Sequence, residues 1–288
     1  MTKGIILAGG AGTRLYPLTL VTNKHLLPVY DKPMIYYPLT TLMLGGIRDV
    51  LLITSPQDRP SFESLLGDGH QWGIDIQYAE QSSPDGLAQA FIIGESFIGN
   101  DRVCLILGDN VFYGHGFSTL VGDAVNNDTG AVVFAQYVRD PERFGVVEFD
   151  MDGIPIGLVE KPKVPKSNFA VTGLYFYDHD VIEVAKSIEP SARGELEITD
   201  INAVYLKASK LSVKQLGRGM TWLDAGTPEA LATATEYVKV IETLQNTRIA
   251  CPEEVAYRMG YITSEELMHH VQPFQNSPYG AYLLNLIS

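Results

Sequence analysis

The chain begins with an apolar run, Gly4-Ile5-Ile6-Leu7-Ala8, that feeds directly into Gly9-Gly10-Ala11-Gly12-Thr13-Arg14. The run reads as a short strand. Glycines at positions 9, 10 and 12 strip the next turn of side chains, so its backbone N–H groups can approach an anion closely. Arg14 follows with a planar cationic fork that suits phosphate. A strand, a bare turn and a fixed cation make a cradle for a nucleoside triphosphate, and the fold must be one that presents strand ends.

The pattern downstream meets that demand. Gly4–Ala8, Val50–Thr54, Ile74–Ala79 and Val103–Leu107 read as strands. Pro38–Leu44 reads as a helix with proline in its first turn and Gly45-Gly46 at its end, and Asp85–Gly94 contains a second helical stretch. This alternation implies a mostly parallel sheet covered on both faces, with ligands at the carboxyl ends of the strands. Gly9–Arg14 and Asp109 both follow strands, so they can share one crevice. The second half is richer in strands, at Ala131–Val138, Gly145–Phe149, Ile156–Val159, Val171–Tyr177 and Leu211–Gln215. Asp150-Met151-Asp152-Gly153 is a hairpin signal, which makes mixed pairing the expectation here. Asp180–Ile188 and Thr199–Ala208 read as helices.

From Thr227 the pattern is helical. Thr227 is a good N-cap followed by Pro228, and Leu231, Ala234, Val238 and Ile241 fall on one face. Thr263-Ser264-Glu265-Glu266 is a capping box. The expected organisation is an α/β domain over 1–226, in halves of about 1–110 and 111–226. A helical segment over 227–288 then packs on the sheet domain or on another subunit. No internal repeat is present, and no hexapeptide β-helix pattern.

Bulk properties narrow the partners. A formal net charge of −13 argues against sequence-independent nucleic-acid binding, which needs a basic face. A nucleotide ligand stays compatible, because local cations or Mg²⁺ invert the field inside a cleft. Cys104 and Cys251 form no CxxC or Cys/His cluster, so zinc and a disulfide framework are poorly supported. There is no signal-peptide pattern and no run of membrane-spanning length, which reads as a reduced, cytoplasmic, soluble protein.

Two phosphate motifs fail. A P-loop needs Gly-Lys-Ser/Thr, whereas Thr13-Arg14 follows Gly12, and the third glycine of the dinucleotide fingerprint is replaced by Leu15. The longer pattern is far more specific. Leu7 to Thr19 and Asn23-Lys24-His25-Leu26-Leu27-Pro28-Val29 resemble the sugar-1-phosphate nucleotidylyltransferases. Tyr30 to Leu39 looks like the glucose-1-phosphate thymidylyltransferases among them. So do Leu107-Gly108-Asp109-Asn110, Val159-Glu160-Lys161-Pro162, Arg193 to Asp200, Trp222-Leu223-Asp224-Ala225-Gly226-Thr227 and Ile249 to Arg258. The resemblance covers nearly the whole chain in order. It implies a Rossmann-like three-layer α/β/α sandwich with a mixed, mostly parallel sheet, whose first half takes the nucleotide and whose second takes the sugar phosphate.

The chemistry implied is attack by a phosphate oxygen of glucose 1-phosphate on the α-phosphorus of dTTP, with pyrophosphate leaving. An anion must approach a polyanion, so the site supplies positive charge and alignment, not a covalent nucleophile. The resemblance gives Arg14 and Lys24 the departing phosphates, beside Gly9, Gly10, Gly12 and Thr13. Lys161, with Arg193, would hold the sugar phosphate, and Glu160 would accept from sugar hydroxyls. Leu107, Asn110, Gly145, Val171 and Tyr175 would line the glucose pocket. Asp109 and Asp224 would form an Mg²⁺ pair, although each alone reads equally as a cap or turn residue. Gln81 and Gly86 would select the base, the glutamine by pairing with a pyrimidine edge and the glycine by close backbone approach. His25 stands where relatives commonly carry glutamine. Imidazole is also a donor and acceptor, so the nucleotide contact can survive the exchange; the alternative is that His25 is a pH-sensitive bystander.

The resemblance further implies a homotetramer, feedback inhibition by a pathway product, and a place at the head of dTDP-rhamnose and related deoxysugar synthesis. A UTP-preferring enzyme and a non-catalytic regulatory subunit are the alternatives. Retention of Arg14, Asp109, Lys161 and Asp224 argues against the second.

Overall fold

A computed structural model describes residues 1–10, 12–127 and 130–288. Its strands are β1 (Thr2–Ala8), β2 (Pro28–Val29), β3 (Lys32–Pro33), β4 (Asp49–Thr54), β5 (Asp75–Glu80), β6 (Arg102–Leu107), β7 (Asn110–Gly114), β8 (Ala131–Tyr137), β9 (Gly145–Phe149), β10 (Pro155–Glu160), β11 (Phe169–Tyr177), β12 (Leu211–Gln215) and β13 (Met220–Asp224). The helices of the first half are α1 (Tyr36–Leu44), α2 (Arg59–Leu66), α3 (Gln89–Ile93) and α4 (Glu95–Ile98). Then come α5 (Phe117–Val125), α6 (Val181–Ser187) and α7 (Ile198–Lys207), and in the tail α8 (Pro228–Gln245), α9 (Pro252–Arg258), α10 (Ser264–Val271) and α11 (Pro278–Leu286).

One mixed sheet runs β10-β9-β11-β6-β1-β4-β5, with β8 joining β11 and β12 joining β8. Pairing is parallel through β6-β1-β4-β5 and turns antiparallel at β11. From Gly4 to Ala8 β1 carries no polar side chain, because both its faces are covered. Ile5 and Leu7 meet Phe91, Ile182 and Ile201 on one side, and Ile6 and Ala8 meet Leu39, Leu42 and Phe62 on the other. This is the three-layer arrangement that the alternation predicts. The β9–β10 hairpin turns over Asp150–Gly153, as its composition indicates.

The short helical stretch expected within Asp85–Gly94 is α3. Residues 85–88 before it are held by Leu196, whose N–H donates to the Asp85 carbonyl (2.7 Å) and whose carbonyl accepts from Ala88 N–H (3.2 Å). One element is absent from the sequence reading, a separate antiparallel pair, β7 with β13, in which Asn110 lies opposite Asp224. It joins residues more than a hundred positions apart, so local periodicity carries no sign of it.

The tail packs on the sheet domain. Thr227 Oγ1 accepts from Ala230 N–H (3.3 Å) to start α8, and Leu231, Ala234 and Val238 are buried against Leu15, Val29 and Val111. Glu242 is buried on the same helix because Lys32 Nζ (2.9 Å) and Arg248 Nη1 (2.8 Å) neutralise it. Farther on, Trp72 Nε1 donates to Glu253 (3.2 Å) and Tyr261 OH donates to the Met43 carbonyl (2.9 Å). The capping box at Thr263 and Glu266 is formed in both directions. Among the described residues no helix is long and apolar enough to cross a membrane.

Candidate active site

A cleft of about 650 Å³ opens at the carboxyl ends of β1 and β6. Of the residues singled out from the sequence, all line it except Gly12 and Thr13. Gly12, at φ 59°, has Thr19 and the Lys24 stem where a Cβ would fall, and Thr13 opens the 3₁₀ turn that carries Arg14. Both residues shape the support of the cradle. Gly10, at φ 92°, has open space where a Cβ would be, which leaves the backbone accessible.

At this end Asp109 is buried, Lys24 and Asp224 are half-buried and Arg14 is exposed. Lys24 starts a second 3₁₀ turn capped by Asn23 and donates to Asp109 Oδ2 at 2.5 Å. Asn110 Nδ2 donates to the other oxygen, Oδ1, at 3.0 Å. Burial opposes the charge on Asp109, but Lys24 and these hydrogen bonds win and hold its carboxyl far below the usual carboxylate range. Asp224 behaves oppositely. Burial, then the negative charge of Asp109, pushes its carboxyl up, against the pull of Arg14 and Lys24. The Arg14 guanidinium lies against Gly226, where a Cβ would fall 2.7 Å from Nη2 and 3.0 Å from Asp224 Oδ1. The β7–β13 pair creates this juxtaposition, and Ala225 N–H donates to the Asp109 carbonyl (2.9 Å) to fix it.

His25 is no pH-sensitive bystander. It is buried, and burial followed by the Lys24 charge lowers its pKa to about 3. Asn23 Oδ1 accepts from His25 N–H (2.9 Å), while Asn23 Nδ2 donates to Ala8 O (3.3 Å) and Asp58 (2.8 Å). The amide orientation is thereby fixed, so His25 Nδ1, 2.8 Å from the same Oδ1, must carry the ring proton. The ring packs flat on Gly108, where a Cβ would meet Cδ2 at 2.7 Å. His25 thus wedges the strand end that presents Asp109.

Asn110 is also more than pocket lining. Its Oδ1 accepts from Gly173 N–H (3.1 Å) and from Trp222 Nε1. Gly173 sits where the β8–β11 register shifts, and a Cβ there would fall 2.5 Å from Asn110 Oδ1. A lone glycine inside an apolar strand was the signal for this close approach.

The opposite end is built from loops. Glu160 ends β10, and its Oε2 accepts from Thr199 Oγ1 at 2.5 Å. Gly145 lies across from it in the β9–β10 register, and a Cβ there would strike Thr199 Oγ1 (2.9 Å). Lys161 adopts φ 41°, an uncommon conformation for a non-glycine residue, and is anchored by N–H donation to Phe144 O (3.0 Å). Arg193 grips both oxygens of Glu197 at 2.8 Å and reaches Glu160 (3.4 Å) and Glu195 (3.4 Å). Thr199 is a neighbour that the sequence reading left without a role, although it lies in the stretch it quoted. Leu107, Val171 and Tyr175 line the wall between the two ends.

Gln81 Nε2 donates to Gln89 (2.6 Å) and Gly86 O (3.3 Å), while Gly9 leaves room for its Oε1. Gly86 is glycine for a reason the sequence reading did not identify. At φ 111°, a Cβ would fall 2.3 Å from the Leu196 carbonyl oxygen, so the loop could not be stitched to Leu196. The close approach is to protein backbone.

A mixed sheet, parallel through β6-β1-β4-β5, presents Asp109 and Asp224 with Arg14, Lys24, Lys161 and Arg193 in one cleft, equipment suited to a protein that handles phosphates, and the comparisons agree. The family model for nucleotidyl transferases matches residues 3–240, and the chain belongs to that family. At 58% identity over 285 residues, covering 99% of both chains, it is similar to the glucose-1-phosphate thymidylyltransferase of Neisseria meningitidis. A crystal structure of a Bacillus anthracis protein assigned as a glucose-1-phosphate thymidylyltransferase, in complex with a sucrose, is 47% identical, with a TM-score of 0.77 over 82% of this chain and 95% of that one. A UDP-glucose pyrophosphorylase complexed with UDP-glucose is 25% identical, with a TM-score of 0.73 over 84% of this chain and 100% of that one.

Proposed function

We propose that the chain transfers a thymidylyl group from dTTP to α-D-glucose 1-phosphate, giving dTDP-glucose and pyrophosphate. The observation that carries this reading is one cleft lined by Arg14 and Lys24 with Asp109 and Asp224 beside them, and also by Lys161 and Arg193. The full-length relative is named for this activity.

In this reading Arg14 and Lys24 hold the phosphates that leave. Lys161, with Arg193, holds the attacking phosphate in line, and positioning supplies much of the rate enhancement. Glu160, oriented by Thr199, accepts hydrogen bonds from the sugar. Gln81 offers one donor and one acceptor to a pyrimidine edge. The acceptor phosphate is itself the nucleophile, so no serine or cysteine is required.

Asp109 and Asp224 suit Mg²⁺. They are hard oxygen ligands, and the Asp224 carboxyl is pushed up by burial and then by the Asp109 charge, a pressure that a bound cation would relieve. When bound, Mg²⁺ would neutralise charge developing on the α-phosphate. We further propose a cytoplasmic homotetramer subject to feedback by a downstream nucleotide sugar. Exposed Val240 and Leu244 on α8 support self-association.

The test is pyrophosphate release with dTTP and UTP, each against a panel of sugar 1-phosphates. Fastest release with dTTP and glucose 1-phosphate is expected. Faster release with UTP would reassign the base, and none with any pair would reassign the chain as non-catalytic.

A further inference from the structure

The nucleotidyl-transfer reading leaves one contact unexplained. Lys24 Nζ lies 2.5 Å from Asp109 Oδ2, and both side chains are largely buried, at 16% and 9% exposure. The other carboxylate oxygen is taken by Asn110. Both oxygens of Asp109 are therefore engaged within the protein. Mg²⁺ needs ligand oxygens at about 2.0–2.1 Å and near-octahedral geometry, and an ammonium on the same oxygen opposes it by charge and by volume. While Lys24 holds Asp109 Oδ2, a metal must compete with the ammonium for that oxygen.

Lys24 has somewhere to go. It sits on a flexible four-carbon stem, and the open backbone of Gly9 and Gly10 lines the same cleft. A triphosphate there offers the ammonium a denser anion than one carboxylate. Arg14 cannot substitute as the blocking group, because it lies beside Gly226 and Asp224 and not on Asp109.

We propose that Lys24 is an internal cation that keeps a divalent metal off Asp109 until a nucleoside triphosphate draws it away, so that metal binds tightly only with the nucleotide. Resting on the nucleotidyl-transfer reading, the device makes the metal site conditional. Without nucleotide the Asp109 and Asp224 charges are balanced by Lys24 and Arg14. With nucleotide, the two cations turn to phosphate and the carboxylates become free for metal.

The experiment is Mn²⁺ titration of the nucleotide-free protein at pH 8, followed by the electron paramagnetic resonance signal of free Mn²⁺. Lys24→Met and Lys24→Gln should each bind Mn²⁺ at least about tenfold more tightly than the wild type, since a unit charge in contact with the ligand is removed. The glutamine variant keeps a polar partner for Asp109, so a folding defect in the methionine variant does not remove the test. Adding Asp109→Asn to either variant should abolish the gain. Arg14→Gln should gain less than either Lys24 variant. Equal Mn²⁺ affinity in wild type and both Lys24 variants overturns the proposal, as does an equal gain from Arg14→Gln. Pyrophosphate release by the wild type is scored separately. If release is intact and Mn²⁺ affinity unchanged, only the Lys24 device falls; if release is absent, the functional reading falls.

Discussion

At the β1–β6 end of the cleft one ion pair, Lys24 with Asp109, is largely withdrawn from solvent, while at the Glu160–Lys161 end the two cations stand nearer to it. Asp109 directly follows β6 and Lys24 opens a 3₁₀ turn, and their side chains are 16% (Lys24) and 9% (Asp109) exposed. Lys161 and Arg193 stand on loops, at 46% and 41% exposure, in a group with Glu160, Glu195 and Glu197. Ion pairs near solvent are weak and screened, whereas a buried pair is costly to break from one side. The first end is a rigid, charge-balanced socket that a substitution damages structurally. The second is an adaptable clamp whose substitutions act on binding.

The largest contrast should appear between the two carboxylates of the first end. Asp109→Asn and Asp224→Asn should each lower turnover by at least about 100-fold, because each removes charge where phosphoryl transfer needs it. Their melting temperatures should diverge. Asp109→Asn leaves Lys24 buried without its counter-charge and should cost about 3 kcal/mol. Asp224→Asn replaces a carboxylate whose ionisation is already disfavoured, so it should melt no lower than the wild type. Parallel losses of stability would show that the two aspartates are not held differently.

His25 tests the buried end by pH. Its pKa in the folded protein is about 3, against 6.5 unperturbed, so below pH 6.5 the unfolded chain takes up a proton that the folded one refuses. Stability is then complete above 6.5 and falls as pH drops toward 3, by up to about 1.4 kcal/mol per unit. Between pH 7 and pH 4.5 the wild type should lose roughly 2–3 kcal/mol more than His25→Gln in denaturant titrations. Identical losses would mean that the imidazole is not buried as a neutral ring.

The smallest effect belongs to the clamp. Lys161→Ala should raise KM for glucose 1-phosphate about tenfold and leave KM for dTTP within about twofold, with an unchanged melting temperature. A matching rise for dTTP would merge the two ends into one site.

Much of this was legible in the chain. The strand, the glycine turn and Arg14 share a dozen consecutive residues, and such short-range patterns are set by local sterics and apolar periodicity. The caps at Thr227 and Thr263 are local in the same sense, since each is one side chain bonding a backbone N–H three residues on. The candidate residues were legible as a set, from the resemblance, and nearly all of them line one cleft. Their partners were not. Thr199 orienting Glu160, and Asn110 tied to both Gly173 and Trp222, depend on which chain segments meet.

The sequence by itself determined an alternating α/β chain with a phosphate turn at a strand end and an acidic surface, because these follow from periodicity, glycine placement and composition. Only the tertiary structure decided that β13 pairs with β7 and sets Asp224 beside Asp109, that Gly86 must clear Leu196 and that His25 is neutral. Each of those outcomes depends on burial and on charges brought close by long-range pairing. Neither quantity exists until the chain has folded.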